Sequence, residues 1–397
     1  MSVYPVEERA LSNRWGILAV LFTVRLTMAF QFQSVAAVAP LLGTKFDASL
    51  ADIGLLIGLY FTPGVALSLP GGAIGKRFGD KATVSGALLL MLIGQLVMMA
   101  SDSWGWQIAG RLIAGGGGVL LNVLMSKMVT DWFAGKEIAT AMAIFVNSWP
   151  AGVAISLLTL PAVGTAYGVS AVYLSIAALI GLAILLLVVA YRSPSTTAAA
   201  PSAASRLDRN TLFAVIIAGL IWGLFNIGFA MIFSFGPTLL VERGWSITAA
   251  GSAISIVLWL AALGGMAGGF LADWTRRPQS VLVVGCIMFA LLMMTLPRSA
   301  AVIPLVIAIG LISALPSGPI MSLPARVLQP QTRAIGMGIF YTVYYAAMML
   351  GPAVAGAIAK STGSAAAALD FGTAALLACP VLLWGYNRIV APRPQAA

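Results

Sequence analysis

Long apolar runs separated by short polar breaks dominate this chain. Marking each run between charged or Pro/Gly-rich breaks gives twelve segments, near 15–43, 52–75, 83–101, 106–128, 138–163, 169–191, 211–240, 247–272, 280–297, 302–327, 334–359 and 367–389. Each approaches the roughly 20 residues that cross a hydrocarbon core about 30 Å thick. The short alternating segments of a membrane barrel are absent. Lipid offers the backbone no hydrogen-bond partner, so the runs must be helices. The pattern predicts an all-α integral membrane protein with twelve crossings.

Composition agrees: 60% of the 397 residues are hydrophobic and 9% charged, with a mean hydropathy of +0.99. A soluble domain would carry about a quarter of its residues as charges. The net charge of +10 reports topology. With the N-terminus inside, Arg9, Arg14, Lys76, Arg77, Lys81, Lys127, Lys136, Arg192, Arg206, Arg209, Arg276, Arg277, Arg326, Arg333, Arg388 and Arg393 are cytoplasmic, against Lys45, Arg243, Arg298 and Lys360 outside. That bias puts both termini in the cytoplasm and the chain in the cytoplasmic (inner) membrane. Scattered over short loops, these charges suit anionic lipid and not nucleic acid. The stretch "SVAAVAP" invites reading the first run as a signal peptide. The run is too long for that, carries Arg25, and has a counterpart in the second half of the chain. Cys286 and Cys379 lie inside apolar runs, and there is no histidine. No disulfide framework, metal site or cofactor is suggested.

The chain also repeats itself. Shifted by 197 residues, "APLLGTKFDASLADIG" falls on "GPTLLVERGWSITAAG" and "GGAIGKRFGDK" on "GGFLADWTRRP"; "AMAIFVNSW" resembles "GMGIFYTVY" at an offset of 195. Residues 192–210, "RSPSTTAAAPSAASRLDRN", form one long polar stretch between runs six and seven, with the composition of a flexible linker. Two six-helix bundles are therefore expected, over residues 1–191 and 211–397, joined by a cytoplasmic linker. Such repeats hold substrate near the midplane between the halves.

The loop "GGAIGKRFGDK" resembles the cytoplasmic signature of the major facilitator superfamily, Gly-x-x-x-Asp-Arg-x-Gly-x-Lys/Arg. Gly72, Arg77, Gly79 and Lys81 fill its positions. "GGFLADWTRR" is a degenerate second copy with Gly269 and Asp273, and "GRLIAGGGG" resembles the family's Arg-x-x-x-Gly-x-Gly element through Arg111, Gly115 and Gly117. The resemblance implies a twelve-helix secondary transporter working by alternating access. In the family the acid of the first copy helps latch the cytoplasmic side; here that position is Lys76, so a latch would need Asp273, Asp80 or Asp131.

Arg25 stands about ten residues, or 15 Å, beyond Trp15, near the bilayer centre. Insertion there costs about 3 kcal/mol on translocon scales. No acid in the chain lies at that depth, Asp370 being near the outer end of its span. The missing partner is then a negatively charged substrate, unless Arg25 instead caps backbone carbonyls at a kink or snorkels outward. Anion-carrying branches of the resembling family also have a first-span arginine. Arg111 has the same two readings, substrate contact or helix packing. Helical phase adds Asn122, on the face of Arg111, Gly115 and Gly118. It also groups Trp222 with Asn226 and clusters Tyr341, Tyr344 and Tyr345 within one turn; span five offers Asn147 and Trp149. Pro316 and Pro319 should break span ten.

These features predict a monomeric carrier of a small anion, an organic monocarboxylate or an oxyanion-like species, with Arg25 as main ligand. A dedicated proton-coupling carboxylate is not visible. The alternative is a drug/proton antiporter for small hydrophobic compounds, which ordinarily carries a membrane-embedded acid. A non-transporting sensor has no appended soluble domain here to support it. An intramembrane enzyme would need a nucleophile with its base, or a metal cluster, at membrane depth.

Overall fold

The structure is a computed structural model that describes residues 14–68, 70–133, 137–192, 207–329 and 332–390. Most of the expected linker at 192–210, with Lys136, lies outside the described residues. Sixteen α-helices and no strand occur among the described residues: α1 Arg14–Ala37, α2 Ala39–Phe46, α3 Leu50–Leu59, α4 Thr62–Leu67, α5 Gly71–Phe78, α6 Asp80–Met99, α7 Trp104–Phe133, α8 Ile138–Val146, α9 Ser148–Ala190, α10 Arg209–Glu242, α11 Ile247–Thr275, α12 Pro278–Thr295, α13 Val302–Ser313, α14 Ser317–Met321, α15 Arg333–Thr362 and α16 Ala366–Val390.

Eleven helical stretches are long and apolar enough to cross a membrane. One of them, Ile144–Ala190, has 47 residues, about 70 Å of helix and more than twice a hydrocarbon core. It makes two crossings because Gly168 sits at φ 81°, ψ 173°, a conformation open to glycine and costly for other residues. The sequence pattern predicts a five-residue loop at this point; the structure confines the break to that one glycine.

Proline sets the other interruptions, since its ring removes an N–H and crowds the carbonyl four residues earlier. Val38 separates α1 from α2 ahead of Pro40, and Tyr60 and Phe61 separate α3 from α4 ahead of Pro63. Span ten ends its first helix at Ser313 and resumes at Ser317, around Pro316 and Pro319. The cap of α3 is a reciprocal pair: Asp52 N–H donates to Ser49 Oγ while Ser49 N–H donates to Asp52 Oδ2 at 2.9 Å.

Within the N-terminal half α1 packs on α9 and α6 on α7; within the C-terminal half α10 packs on α16 and α11 on α13. The halves meet where α3 lies on α15 and α9 on α11. At the end of the bundle away from the termini these contacts are backbone to backbone. A Cβ on Gly54 would lie 2.2 Å from the Pro352 carbonyl oxygen, on Gly58 2.2 Å from that of Met349, and on Gly251 2.4 Å from that of Leu157. Small residues thus let the helices close this end of the molecule. Gly58→Ala should wedge the seam open. Spin labels at positions 47 and 363 should then report a longer distance population than in an otherwise wild-type background; an unchanged distribution would mean that the seam absorbs a methyl group elsewhere.

At the other end the signature motif is organised inside one half. Gly79 turns the chain at φ 82°, and Arg77 is exposed, its guanidinium 5.4 Å from the Phe78 ring centroid. Lys81 donates to the carbonyls of Val188 and Tyr191 at 2.9 and 2.7 Å, capping the C-terminus of α9. Asp80 and Asp131, two of the three candidates for a latch, both accept from Lys127 of their own half. The side chains of Lys76 and Asp273, and the surroundings of Gly72, lie outside the described residues.

Candidate functional site

A cavity of about 500 Å³ lies between the halves and extends from mid-bundle toward the end carrying the termini. A second space of about 450 Å³ adjoins it, with Trp149, Trp222, Asn226 and Ser317 in both walls. Among the described residues Arg25 is the one charged side chain lining either space, and no carboxylate lines them.

The local fold explains how Arg25 is held. Pro150 has no N–H to offer the Val146 carbonyl four residues earlier, and the helix breaks at Asn147 between α8 and α9. Arg25 Nη1 donates to the freed Val146 oxygen, to that of Phe145 and to Ser148 Oγ, each at 3.1 Å. Its Nε and Nη2 both donate to Asn122 Oδ1 at 3.2 Å, and the guanidinium lies 4.8 Å from the Phe145 ring centroid. Four of its five N–H groups can be accounted for in this way, which leaves one on Nη2. Arg25 thus caps carbonyls at a kink, one of the readings its sequence position allows, and lines the cavity.

Asn122 continues the network across the molecule. Its Nδ2 donates to Tyr345 Oη at 3.2 Å, joining α7 of one half to α15 of the other. Among the described residues two more side-chain hydrogen bonds cross between halves: Gln33 to the Phe233 carbonyl at 2.6 Å and Ser68 with Thr342 at 2.8 Å. Each ion pair among the described residues stays within one half. Opposite Arg25 the wall is aromatic. Trp222, its counterpart in the repeat, stacks on Phe225 at 5.6 Å and lies 6.2 Å from Tyr344. Tyr345 lies 6.2 Å from Phe61. Asn226 spends one amide hydrogen on the Trp222 carbonyl at 2.8 Å.

Of the two readings of Arg111, substrate contact and helix packing, its surroundings match the second. It is fully buried behind the cavity wall and lines neither space. Its guanidinium donates to the carbonyls of Leu56, Gln31 and Phe32 at 3.1, 3.0 and 2.5 Å, and sits 4.6 Å from the Tyr60 ring centroid. The Leu56 oxygen is free because the Tyr60 N–H bonds to Ile57 at the end of α3. Arg111 therefore joins α1, α3 and α7 by packing, and the face it shares with Asn122 meets α3 before it reaches the cavity.

Eight of the nine expected ligands do line the two spaces: Arg25, Asn122, Trp222, Asn226, Tyr341, Tyr344 and Tyr345 in the first, and Asn147, with Trp222 and Asn226 again, in the second. Sequence reasoning missed Tyr60, Phe61, Ser126 and Ser317 in the first wall and Phe229 in the second. Pro63 and Pro316, which break the helices beside Phe61 and Ser317, mark two of these places.

The sequence profile of the Major Facilitator Superfamily matches residues 21–352 and 224–397. The chain belongs to the major facilitator superfamily. Its relatives in that superfamily include the inner membrane transport protein YajR of Escherichia coli (strain K12), 30% identical over 44% of this chain and 37% of that protein. A hexuronate transporter of Bacillus subtilis (strain 168) is 22% identical over 67% of this chain and 66% of its own length. A probable chloroplastic anion transporter 2 of Oryza sativa subsp. japonica is 25% identical over 56% and 47%. The matched part thus spans roughly one third to two thirds of these relatives. Among solved structures, a bacterial homologue of the human lysosomal transporter Spinster, inward-facing and unoccupied, superposes with a TM-score of 0.74 at 16% identity, covering 95% of this chain and 96% of that one. A D-xylose–proton symporter superposes with a TM-score of 0.73 at 15% identity over 94% and 97%. At such identities these structures share the superfamily fold.

Proposed function

We propose that this protein is a secondary transporter that carries a small monovalent anion across the cytoplasmic membrane by alternating access, with Arg25 as the anion ligand. One observation carries the reading: among the described residues Arg25 is the one charge on the cavity wall, and its neighbours are carbonyl, amide and hydroxyl oxygens. Those dipoles hold the guanidinium without neutralising it. The names of two relatives, a hexuronate transporter and a probable anion transporter, support the sign of the charge. A single guanidinium suits a monocarboxylate or oxyanion-like species and too poorly offsets a multiply charged phosphate ester.

The geometry supplies a coupling. A carboxylate grips the Nε–Nη2 edge of an arginine through two parallel hydrogen bonds, and Asn122 Oδ1 occupies that edge here. An entering anion competes with Asn122, whose amide also ties the halves through Tyr345. Substrate binding thereby loosens a link across the interface, and the bundles 1–191 and 211–397 rock about the cavity. No Asp, Glu or His among the described residues lines the cavity, so exchange, facilitated movement or coupling through the substrate's own ionisation fits better than a protein carboxylate relay.

Asn122→Asp should fold and bind anions at least tenfold more weakly, because an internal carboxylate then pairs with Arg25. Titration of thermal stabilisation by the transported anion measures this; wild-type affinity would remove Arg25 from the binding step. Counterflow in proteoliposomes against an anion panel tests the activity itself. The aromatic wall favours a second reading, export of small hydrophobic compounds, and transport of lipophilic cations without anion movement would select it. The monomer should have both termini in the cytoplasm. Single cysteines placed in loops 43–52 and 241–247 should react with impermeant reagents from outside, and reaction from the cytoplasm alone would invert the topology.

A further inference from the structure

The second space differs in character from the first. Apart from Asn147, the residues that line it and not the first are Phe225, Phe229, Ala261, Ala262, Gly265 and Ala314. None of these six offers a side-chain donor or acceptor. The space nevertheless adjoins the Arg25 cavity, with Trp149, Trp222, Asn226 and Ser317 in both walls. Small residues from α11 and from the break after α13 keep it open: a Cβ on Gly265 would meet its nearest neighbours, Ala314 Cβ and Ser317 Oγ, only at 3.7 Å.

Together the two spaces form a bilobed site with its positive charge in one lobe and an apolar slot in the other. An anion as small as acetate leaves the slot empty. A polyhydroxylated acid brings hydroxyls against Phe225, Phe229, Ala261, Ala262, Gly265 and Ala314, which cannot pair them; that is unfavourable for groups that water was hydrogen-bonding. An anion with a planar apolar body satisfies both lobes: its carboxylate meets Arg25, its ring passes between Trp149 and Trp222, and aromatic walls favour stacked or edge-on contact. We infer that the substrate is an arylalkyl or similarly apolar-bodied monocarboxylate, and that Ala262, with Ala314 opposite, sets this specificity by keeping the slot open. The inference rests on the Arg25 reading and narrows it.

Three probes test it on the full-length protein in detergent: acetate, phenylacetate and glucuronate, each titrated by thermal stabilisation and calorimetry. Even one methylene in an apolar pocket is worth about 10–200-fold in discrimination. Wild type should therefore bind phenylacetate at least tenfold more tightly than acetate, with glucuronate weakest. Ala262→Phe fills the slot and should bring the phenylacetate-to-acetate affinity ratio toward one. Ala314→Leu, on a different segment, should lower the same ratio and serves if the first variant misfolds. Equal binding of acetate and phenylacetate by wild type, glucuronate binding as tight as phenylacetate, or an unchanged ratio in both folded variants overturns the apolar-slot assignment while leaving Arg25 as an anion ligand. Absence of binding by all three carboxylates overturns the apolar-bodied monocarboxylate assignment, and absence of binding by the wider anion panel overturns the Arg25 reading as well.

Discussion

Arg25→Gln is expected to lose anion binding and uptake while still folding. A charge-assisted hydrogen bond contributes roughly 1.5–3 kcal/mol net, so affinity should fall about 10- to 150-fold. Glutamine retains one amide that can reach the Phe145 or Val146 carbonyl, so the kink before Pro150 keeps a partner and the melting temperature should fall by a few degrees only. Arg25→Lys separates charge from shape. It keeps the cation, but three donors on one nitrogen cannot hold the carbonyls and also present the Nε–Nη2 edge. Its affinity should lie between those of wild type and Arg25→Gln. Substrate-induced thermal stabilisation followed by counterflow measures both. Wild-type uptake by Arg25→Gln would leave Arg25 as a kink cap and remove the main support for anion transport.

Arg111→Ala should fail in the opposite manner. Its truncation strands the carbonyls of Leu56, Gln31 and Phe32 in a fully buried site. Each buried group left without a partner costs about 1–3 kcal/mol, and lipid brings no replacement donor. A total loss of about 3–9 kcal/mol over the three groups should lower the melting temperature by roughly 4–10 °C in a chain of this length, or give protein that is not monodisperse in detergent. Arg111→Lys should recover part of this, since an ammonium can reach one or two of the three oxygens. A fully stable Arg111→Ala that no longer binds the anion would reverse the assignment and make Arg111 a ligand.

The contrast between these arginines shows where sequence reading reaches and where it stops. Twelve crossings were legible because apolar length is written directly in the chain, and Pro316 and Pro319 marked the break in span ten. Arg25 was recognisable by depth alone. Carbonyl capping at a kink is one of the readings its depth allows, but which carbonyls it meets is not legible, because backbone groups have no letter in a sequence. A cue was present nonetheless: Pro150 stands four residues after Val146 and leaves that oxygen without a donor. Arg111 was placed on the face of Asn122 by helical phase, which says which residues share a face. It does not say which neighbour that face meets, and here α3 covers its upper part. Gly168 escaped notice because a helix–helix reversal through a single left-handed residue leaves no polar loop behind.

The seam away from the termini closes through glycines set against carbonyl oxygens, and no ion pair among the described residues joins one half to the other. Mobile ions screen charges over a Debye length of about 8 Å at physiological strength; they have no comparable hold on van der Waals contact. Varying ionic strength should therefore leave the rocking of the bundles almost untouched while weakening the long-range pull of Arg25 on an anion still in water. Salt becomes a selective instrument for this protein: a rise in the apparent KM with added inert electrolyte, at constant maximal flux, isolates the binding step from the conformational one without altering a single residue.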